Sequence, residues 1–568
     1  MEIGTDKDVS NDQVQDVSVK LPQPEAWKKG GRLLSGLIGS NVLLVSCALL
    51  TCVYTEDVAV YEVDFLIILS VMMVICTLWM FFQMYFTWKY KNAILYKDCE
   101  AGPIWMRVGI VLFGVGTLVM ALMKIANSAK YLDCITPMKI IQPVIQAFFI
   151  IVQTFFLCLS CKHCVQIYIN PTRCFLMILL TLNLIIWVTA VTEESRNHTL
   201  ELQKYLERNF SSESSKNSTE DEEEKEDENI CGCVTECKSK TDVYTYLYPF
   251  NIEYNLFAAA MIYIMWKNVG RQIDENASDH HGLGPGVLKH IPLLGLVSGL
   301  SVLIIGLVMF ILYEIGRQDN LKHWLSLTVF YFFHVVSLVL MCLANIVGIV
   351  IFRLDKRNMD KQKNPSRSLD VALLLGATLG QYGISYYSII ATLSSQPFSL
   401  LCGLTLSYSI LMIIQHSLQN VFIIEGLHRL PPNNLLIAHD SPATPKPVRQ
   451  HEGMKQVVVQ EKDSVRSLTG PPKNGNRRMS RRQTLTMNIK SHLKKRKTMK
   501  DVYLFLFLCN IIFWIMPAFG ARIRFDNGLE VTFFGFTIWA IITNVCLPFG
   551  IFYRMHAAAS LLELYSMA

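Results

Sequence analysis

Twelve long apolar runs dominate this sequence and limit the folds open to it. Each is about twenty residues or longer, the length that an α-helix needs to cross the hydrocarbon core of a bilayer. Charged residues make up 17% of the chain, against roughly a quarter in an average soluble domain. The runs lie at residues 33–54, 63–87, 104–127, 139–161, 173–192, 243–268, 291–313, 324–352, 369–392, 397–425, 501–522 and 533–558. The sequence therefore predicts an all-α polytopic membrane protein with twelve transmembrane helices.

Basic residues outside the apolar runs predict how the helices are oriented. They cluster before the first run, at Lys28, Lys29 and Arg32, and again in the segment 353–367 after the eighth run. The loop 55–62 after the first run has acidic residues and no Lys or Arg. Because Lys and Arg concentrate in cytosolic loops, both termini are predicted to face the cytosol, in a multi-pass protein of the plasma membrane. The net charge of +6 is then explained by these loops and does not indicate nucleic-acid binding.

Polar segments between the runs divide the chain into two six-helix halves. The predicted segments are a cytosolic N-terminal tail at 1–30, an N-terminal half at 31–270 with an acidic, glycosylated extracellular loop at 193–242, a cytosolic linker at 271–290, and a C-terminal half at 291–568 with a disordered, basic cytosolic loop at 426–500. Blocks of like charge repel one another and rarely pack. The acidic loop is therefore expected to be solvated, like the basic one.

The loop at 193–242 has the features of an extracellular segment. Its N-glycosylation sequons begin at Asn197, Asn209 and Asn217. Its cysteines are Cys231, Cys233 and Cys237. These thiols can form disulfides in an oxidising compartment, with the pairing left open. Two thiols one residue apart do not make a standard zinc pair, so neither a metal site nor a cofactor is predicted.

The two halves repeat one another in sequence. A Gln-x-x-x-Gln pattern occurs in the fourth and tenth runs, Asn and Trp four residues apart occur in the fifth and eleventh, and Pro-Phe-x-x-x-Tyr occurs in the sixth and twelfth. The aligned pairs are Gln142 with Gln415, Gln146 with Gln419, Asn183 with Asn510, and Tyr254 with Tyr553. Six helices in each half is an even number, so the repeats are predicted to be parallel, related by an axis along the membrane normal.

The repeated amides and phenols are candidates for a proton pathway. Polar groups inside a membrane span are costly and usually face the bundle interior or a water-filled cavity. Gln, Asn and Tyr side chains each donate and accept hydrogen bonds, so together they can hold a chain of water molecules at a constriction. The alternative is that they join packed helices by hydrogen bonds. Their pairing in both halves leaves the two interpretations open.

Few ionisable residues lie within the runs. Glu253 aligns with Phe552, and His556 aligns with Phe257, so each half offers one titratable group where the other has an aromatic ring. This asymmetry suits a proton-sensing site between the halves. Asp501, at the start of the eleventh run, is either a third such group or a residue favoured there by the helix dipole. Secondary candidates are Gln142, Gln415, His416, Glu425, His334 and Asn544.

Longer motifs cover nearly all of the membrane region. They include Trp27-Lys-Lys-Gly-Gly-Arg-Leu-Leu-Ser, Ala101-Gly-Pro-Ile-Trp-Met-Arg, Tyr246-Leu-Tyr-Pro-Phe-Asn-Ile-Glu-Tyr, Gly380-Gln-Tyr-Gly-Ile-Ser-Tyr-Tyr-Ser, Trp514-Ile-Met-Pro-Ala-Phe-Gly-Ala-Arg and Pro548-Phe-Gly-Ile-Phe-Tyr-Arg-Met-His. In these motifs the chain resembles the otopetrins, a family of proton-selective channels. The motifs are long and unlike those of other membrane families.

The resemblance implies a homodimer in which each subunit forms two six-helix barrels. It further implies a Gln, Asp-or-Asn, Tyr constriction in each barrel and functional acidic residues between the barrels, which match Glu253 and Asp501. Placed by the repeat, the constrictions are Gln146, Asn183 and Tyr254, and Gln419, Asn510 and Tyr553. The expected function is a proton channel that responds to extracellular acid, with protons and membrane lipids, including sterol, as partners.

Two other classes of function remain as alternatives. One is a proton-coupled secondary transporter with six-plus-six helices; the long cytosolic loop of major-facilitator proteins lies between helices 6 and 7, whereas here that linker is only 271–290. The other is a membrane scaffold or regulator, which does not explain the paired polar residues inside the spans. An enzyme is not expected, because the runs contain no nucleophile–base or metal-ligand spacing.

Overall fold

The computed structural model describes residues 25–53, 61–90, 93–98, 101–102, 104–129, 136–214, 246–272, 292–317, 323–354, 365–395, 399–429 and 475–568. These residues are almost entirely helical, with one small two-stranded sheet. The elements are α1 Glu25–Val53, α2 Glu62–Lys89, β1 Ile94–Lys97, α3 Ile104–Ala129, α4 Met138–Ser160, β2 His163–Val165, α5 Ile169–Ser214, α6 Tyr248–Asn268, α7 Leu293–Arg317, α8 His323–Leu354, α9 Pro365–Ser394, α10 Leu400–Leu427, α11 Gly475–Ala518, α12 Ile523–Asp526, α13 Leu529–Phe534 and α14 Phe536–Met567.

Among the described residues, ten helices are long and apolar enough to cross a membrane, so the chain is a multi-pass membrane protein. They are all the long helices except α6 and α9. These two are less apolar because they carry polar residues that face the protein interior, such as Asn251 and Glu253 on α6 and Asp370 and Gln381 on α9. Most of α6 is buried by its neighbours.

Two helices extend into segments that the sequence predicts to be loops. Helix α5 has 46 residues and continues to Ser214, beyond the predicted end of the apolar run at 192. Helix α11 has 44 residues and begins at Gly475. Both extensions lack internal Gly and Pro and are rich in Leu, Glu, Lys, Arg and Met, which favour helix. Within the predicted basic loop at 426–500, residues 426–427 and 475–500 are helical, and 430–474 lies outside the described residues.

Two compact units divide the chain, and unit 1 comprises residues 1–102, 109–190 and 226–279 as far as they are described. Helix α2 packs against α1 and α4, and α4 packs against α6. Further contacts join Gly114 to Thr154, Gly109 to Phe257, Arg173 to Val269, and Gly39 to Met177. Neighbouring helices therefore follow the order α1, α2, α4, α3, α6, α5 and back to α1.

Unit 2 comprises residues 103–108, 191–225 and 280–568, as far as they are described. Its helices pack in the order α7, α8, α10, α9, α14, α11 and back to α7, so that six helices close a ring. Helix α8 also packs against α11, and α10 against α14, across the interior of that ring. The helix order is the same in the two units. In this match, α1, α2, α3, α4, α5 and α6 of unit 1 correspond to α7, α8, α9, α10, α11 and α14 of unit 2, respectively.

The outer faces of both units carry large apolar side chains. Leu78 on α2 is 64% exposed and Leu294 on α7 is 74% exposed. Buried amides, hydroxyls and charged groups, among them Gln153 and Gln419, lie inside the units. An apolar exterior around a polar interior is the arrangement that a bilayer favours, because lipid cannot hydrogen-bond to polar side chains.

Candidate functional site

Three polar side chains meet inside the ring of unit 2. Gln419 on α10 and Asn510 on α11 each donate a hydrogen bond to the other's side-chain oxygen, both over 3.1 Å. The amide of Gln419 also donates to the hydroxyl oxygen of Tyr553 on α14, over 3.3 Å. All three side chains are fully buried. The structure thus brings together the three residues that the repeat predicts for the second half.

Unit 1 has the same arrangement with a different glutamine. Gln153 on α4 and Asn183 on α5 donate to each other over 2.8 and 3.0 Å. The amide of Gln153 donates to the hydroxyl oxygen of Tyr254 on α6, over 3.4 Å. Gln146, which the repeat predicts for this place, is bonded instead to the amide of Gln142, over 3.2 Å. The structure therefore places Gln153, about two helical turns further along α4, and not Gln146, beside Asn183 and Tyr254. A constriction at either glutamine stays a prediction.

The residue after each constriction glutamine supports this placement. Thr154 lies 2.9 Å from the hydroxyl oxygen of Tyr254. Asn420 accepts a hydrogen bond from the hydroxyl of Tyr553, also over 2.9 Å. Helix α4 therefore matches α10 with its third glutamine, and not its second, at the position of the constriction.

Each constriction asparagine is oriented by its own helix. The amide nitrogen of Asn183 donates to the carbonyl of Leu179, and that of Asn510 donates to the carbonyl of Leu506, both over 2.8 Å. These bonds satisfy a second donor on each amide and hold the side chain in one rotamer. The side-chain oxygen is left to accept from the facing glutamine.

A buried cation distinguishes the second constriction from the first. Arg554, 2% exposed, donates to the side-chain oxygens of Asn510 over 3.2 Å and Gln415 over 2.9 Å. The matching position in unit 1, directly after the constriction tyrosine, is Asn255, which donates to the side chain of Asn251 over 2.9 Å. The first constriction is therefore neutral at a position where the second carries a fixed positive charge.

The residues beside the second constriction are also more polar than those beside the first. Where unit 2 has Gln415 and His416, the matching positions of α4 are Phe149 and Ile150, both nearly fully buried. The ring of His416 lies 4.3 Å from that of Tyr553, and its Nδ1 lies 2.8 Å from a backbone carbonyl of its own helix. The second constriction is thus embedded in a larger polar network, and the first is flanked by apolar side chains.

A cavity of about 70 Å³ adjoins the second constriction. Its wall includes Arg554, Arg524 of α12, His334 and Tyr408, together with Phe, Met and Ile side chains. The guanidinium of Arg524 lies 5.3 Å from the ring of Tyr408. Nδ1 of His334 lies 2.9 Å from the carbonyl of Phe330, one turn earlier on α8. Two buried guanidinium groups therefore share one largely apolar cavity.

A buried carboxyl group lies in the segment between α11 and α14. Glu530 on α13 accepts a hydrogen bond from Ser388 on α9 over 2.5 Å, and Ser388 accepts one from Ser409 on α10. Burial raises the pKa of the Glu530 carboxyl, although the Ser388 hydrogen bond and the charge of Arg524 oppose that shift. The group is therefore more easily protonated than a solvent-exposed glutamate.

A smaller cavity of about 10 Å³ occupies unit 1, beside Phe156 and Met265. Gln83, Thr87 and His163 contribute polar groups to its wall. Burial, and next the positive charge of Lys97, lower the pKa of His163, so this side chain is held neutral. A cavity of this size holds about one water molecule, which fits a single-file water position and not an open channel.

Comparison with known proteins identifies the family of the chain. A family model described as Otopetrin matches residues 105–450 and 478–555, more than half of the sequence. The chain belongs to the otopetrin family. It is 43% identical to Proton channel OTOP2 of Mus musculus, over 99% of this chain and 100% of that protein. It is 36% identical to Proton channel OTOP3 of Homo sapiens over 97% and 88% of the two chains, and 30% identical to Proton channel OTOP1 of Danio rerio over 96% and 92%.

The ionisable residues predicted for this otopetrin lie in three different surroundings. Nε2 of His556 lies 3.1 Å from the backbone oxygen of Asp370 and 3.9 Å from its carboxylate, with both residues in unit 2. Glu253 is fully buried on α6. Asp501 accepts the backbone N–H of Gly295 over 2.7 Å and so caps the start of α7. Asp501 therefore lies inside α11, not at its beginning as expected, and acts on a neighbouring helix.

Two of the secondary candidates, Glu425 and Asn544, interact with residues outside the two constrictions. Glu425 forms an ion pair of 2.7 Å with Arg429, one turn later. The amide of Asn544 donates to the hydroxyl of Thr199 over 3.3 Å. Of the other secondary candidates, Gln415 and His416 belong to the second constriction's network, His334 lines the cavity, and Gln142 bonds to Gln146.

The sequons of the otopetrin chain lie on α5 and beyond it. Asn197 and Asn209 are helical, and the side chain of Asn197 is partly buried, whereas the sequence predicts both in a loop. Asn217 and the cysteines at 231, 233 and 237 lie outside the described residues. Glycosylation of these sequons stays a prediction.

Sequence reasoning missed Gln153, Arg554 and Arg524 as residues of the otopetrin interior. Gln153 lies seven positions after Gln146, hence on nearly the same face of α4, so hydropathy does not separate the two. Arg554 is the only Lys or Arg in the twelfth apolar run. An unexplained cation within a span is costly, and that signal was available in the sequence.

Proposed function

We propose that this chain conducts protons across the plasma membrane, and that the principal route passes the constriction of Gln153, Asn183 and Tyr254. Relatives that match nearly its whole length are named proton channels. The observation that carries the choice of route is a difference in charge: the second constriction contains Arg554, whereas the first has the neutral Asn255 at the matching position. The hydrogen-bond partners of the first three side chains are all neutral.

The first constriction supplies the chemistry of a gated water wire. Its amides and hydroxyl can each donate and accept, so a water inserted among them can pass a proton along hydrogen bonds. The mutual amide bonds of Gln153 and Asn183 close this path when no water is inserted. Opening exchanges two protein hydrogen bonds for bonds to water, each worth about 0.5–1.5 kcal/mol net. That exchange is small enough to be reversible.

Arg554 opposes proton passage through the second constriction. Two unit charges 4 Å apart repel by about 4 kcal/mol at an effective dielectric constant of 20. A hydronium ion beside the Asn510 amide lies close to this guanidinium, because Arg554 is hydrogen-bonded to the same oxygen. About 1.4 kcal/mol corresponds to a tenfold change in rate. Unit 2 is therefore expected to conduct far fewer protons than unit 1.

Whole-cell recording tests proton conduction directly. Expressing cells are stepped from neutral to acid external pH in solutions without sodium or potassium. A proton-selective channel gives an inward current whose reversal potential moves by about 59 mV per pH unit, the Nernst slope for one charge. No current despite confirmed surface expression would contradict the proposal and favour a transporter or a regulator.

Matched variants test which constriction conducts. Gln153→Leu removes the glutamine of the first constriction and Gln419→Leu that of the second, with the same change of side chain. We expect Gln153→Leu to lower the current by more than tenfold and Gln419→Leu to change it by less than twofold, at equal surface expression. Equal losses in the two variants would contradict the choice of route.

The response to extracellular acid is assigned to Glu253 on α6. It is a fully buried carboxyl that directly precedes the constriction tyrosine in the chain. Protonation removes a negative charge next to the path, which changes the local potential for protons. Glu253→Gln is expected to alter the dependence of current on external pH, and wild-type currents at every pH would remove Glu253 from the mechanism.

The proposed assembly is a homodimer of chains with twelve spans, two six-helix barrels and cytosolic termini. Matching helix order in the two units supports two equivalent barrels, and α6 and α9 are proposed as the eleventh and twelfth spans. Membrane lipids, sterol among them, are expected to fill the apolar outer faces. A dimeric mass in mild detergent, and terminal epitopes reached by antibody only after permeabilisation, are the expected results; a monomer at every concentration would contradict the dimer.

A further inference from the structure

The cavity beside the second constriction has an unbalanced charge. Its lining includes Arg522, Arg524 and Arg554, while none of the described lining residues is Asp or Glu. Arg522 is paired with Glu194 over 3.4 Å. The described ion pairs include no partner for the other two guanidinium groups.

The described hydrogen bonds and ring contacts of the two remaining guanidinium groups are all with neutral groups. Arg554 donates to two amide oxygens and to the sulfur of Met412, over 3.2 Å. Arg524 donates to the hydroxyl of Ser385 over 3.4 Å and lies over the ring of Tyr408. Nη1 of Arg524 is buried and has no hydrogen-bond partner among the described residues. Both residues are more than nine-tenths buried.

Glu530 is the carboxyl group that interacts with Arg524. It does not neutralise the charges of Arg524 and Arg554. It is absent from the cavity wall, forms no ion pair within 4 Å among the described residues, and is bonded to Ser388 instead. Arg524 and Arg554 keep their charge, because an arginine stays protonated in proteins. The site therefore needs a counter-charge from outside the chain.

The size and the lining of the cavity restrict which kind of anion can supply that counter-charge. About 70 Å³ is several times the roughly 10–15 Å³ that one water needs on the same measure, so the cavity has room for a small ion. Phe330, Ile384 and Phe513 form apolar parts of the wall, which favours a weakly hydrated monovalent ion. A phosphate or sulfate would need more donors for its oxygens than two guanidinium groups and a few hydroxyls supply.

We propose that this cavity is a binding site for a small monovalent anion of halide type, chloride in a physiological medium, held by Arg524 and Arg554. The ion binds Arg524 and Arg554 from the cavity side and stabilises unit 2. The inference does not depend on which bundle conducts protons.

Thermal unfolding of the purified full-length protein tests the site. Sodium chloride is titrated against sodium gluconate at constant ionic strength, and sodium bromide is titrated in parallel. The midpoint is expected to rise saturably with chloride and with bromide but not with gluconate, which is too large for the cavity. A midpoint that is independent of the chloride fraction would overturn the proposal.

Matched arginine variants locate the binding site. Arg524→Gln and Arg554→Gln are expected to remove the saturable rise. Arg429→Gln is the control, because this partly buried guanidinium is paired with Glu425 over 2.7 Å and is absent from the cavity wall; it should keep the full rise. Folded Arg524→Gln and Arg554→Gln variants that also keep it would contradict the assignment.

Equilibrium binding to the wild type keeps the proposal testable if those variants do not fold. Radioactive chloride is expected to bind saturably, at about one ion per chain, and to be displaced by bromide. An absence of saturable binding would overturn the proposal without any variant.

Discussion

Gln153 and Asn183 form a closed amide pair, in which each side chain donates to the other over 2.8 and 3.0 Å. The pair joins α4 to α5 inside unit 1 and leaves the hydroxyl of Tyr254 to complete the constriction. Gln419 and Asn510 repeat the same pair in unit 2. The two units therefore share one arrangement of a glutamine–asparagine pair and a tyrosine, which is the geometric core of the internal repeat.

Replacing Gln153 and Gln146 by leucine separates the two placements of the first constriction. Gln153→Leu leaves the amide of Asn183 without its buried partner, which costs about 1–3 kcal/mol, and it removes a group that can bond to water. The proton current at equal surface expression is expected to fall by more than tenfold. Gln146→Leu should change it by less than twofold, since Gln146 contacts only Gln142 among the described side-chain hydrogen bonds. A larger loss in Gln146→Leu would favour the placement predicted by the repeat.

Exchanging the charge between the constrictions tests the role of Arg554. Asn255→Arg places a cation at the matching position of unit 1 and is expected to reduce the current by at least tenfold, a barrier increase of about 1.4 kcal/mol or more. Asn255→Gln, which adds length without charge, serves as the control. Arg554→Asn in the Gln153→Leu background is expected to restore part of the current through the second bundle. Wild-type current in Asn255→Arg would count against an electrostatic barrier.

The close approach of α7 and α11 predicts a stability effect at Gly295. A Cβ at this position would lie 2.2 Å from the backbone oxygen of Asp501, so the two helices must separate. Gly295→Ala is expected to destabilise the fold by about 1–3 kcal/mol, as overpacking usually does, and to lower the midpoint of thermal unfolding. Gly376→Ala on α9 is the matched control, because a Cβ added there would meet no described atom within 4 Å. Equal midpoints for the two variants would show that α7 can move without cost.

Titration of Glu530 predicts a pH dependence of stability. Its folded-state pKa is raised above the ordinary value of 4.5, so the folded state binds the proton more tightly than the unfolded state. This contribution to stability is fully present below pH 4.5 and is lost as the pH rises through the folded-state pKa. Glu530→Gln keeps an oxygen that accepts from Ser388 and should flatten this part of the profile of unfolding midpoint against pH. Glu62→Gln, at an exposed carboxylate, is the control, and an unchanged profile in Glu530→Gln would refute the assignment.

Much of the architecture follows from the sequence because membrane insertion responds to local composition. The apolar runs predicted the helices to within several residues at most ends, since about twenty consecutive apolar residues have few alternatives to a span. The repeat grouped Gln419, Asn510 and Tyr553, and the structure brings these three side chains into hydrogen-bond contact; their role as a constriction stays a prediction. The long motifs predicted the otopetrin family, which comparison with known proteins confirmed.

The register of α4 was decided only by tertiary packing. Its three glutamines lie on neighbouring parts of one helix face, and the matching of Gln142 and Gln146 to the second half rested on their spacing alone. Gln153 is the glutamine that contacts Asn183. The sequence of α4 alone does not predict which turn of α5 lies opposite each glutamine.

Arg554 shows the same limit for a charged residue. The sequence determined that a guanidinium occurs in the last apolar run. The mean hydropathy of that run stays high, because its many apolar residues outweigh the single arginine. Only the packed ring determined that this side chain points inward, bonds to Gln415 and Asn510 and faces a cavity with Arg524. Hydropathy is a sum over neighbours in the chain, whereas the partners of a buried charge come from distant helices, so the electrostatic difference between the two bundles arises from the tertiary structure.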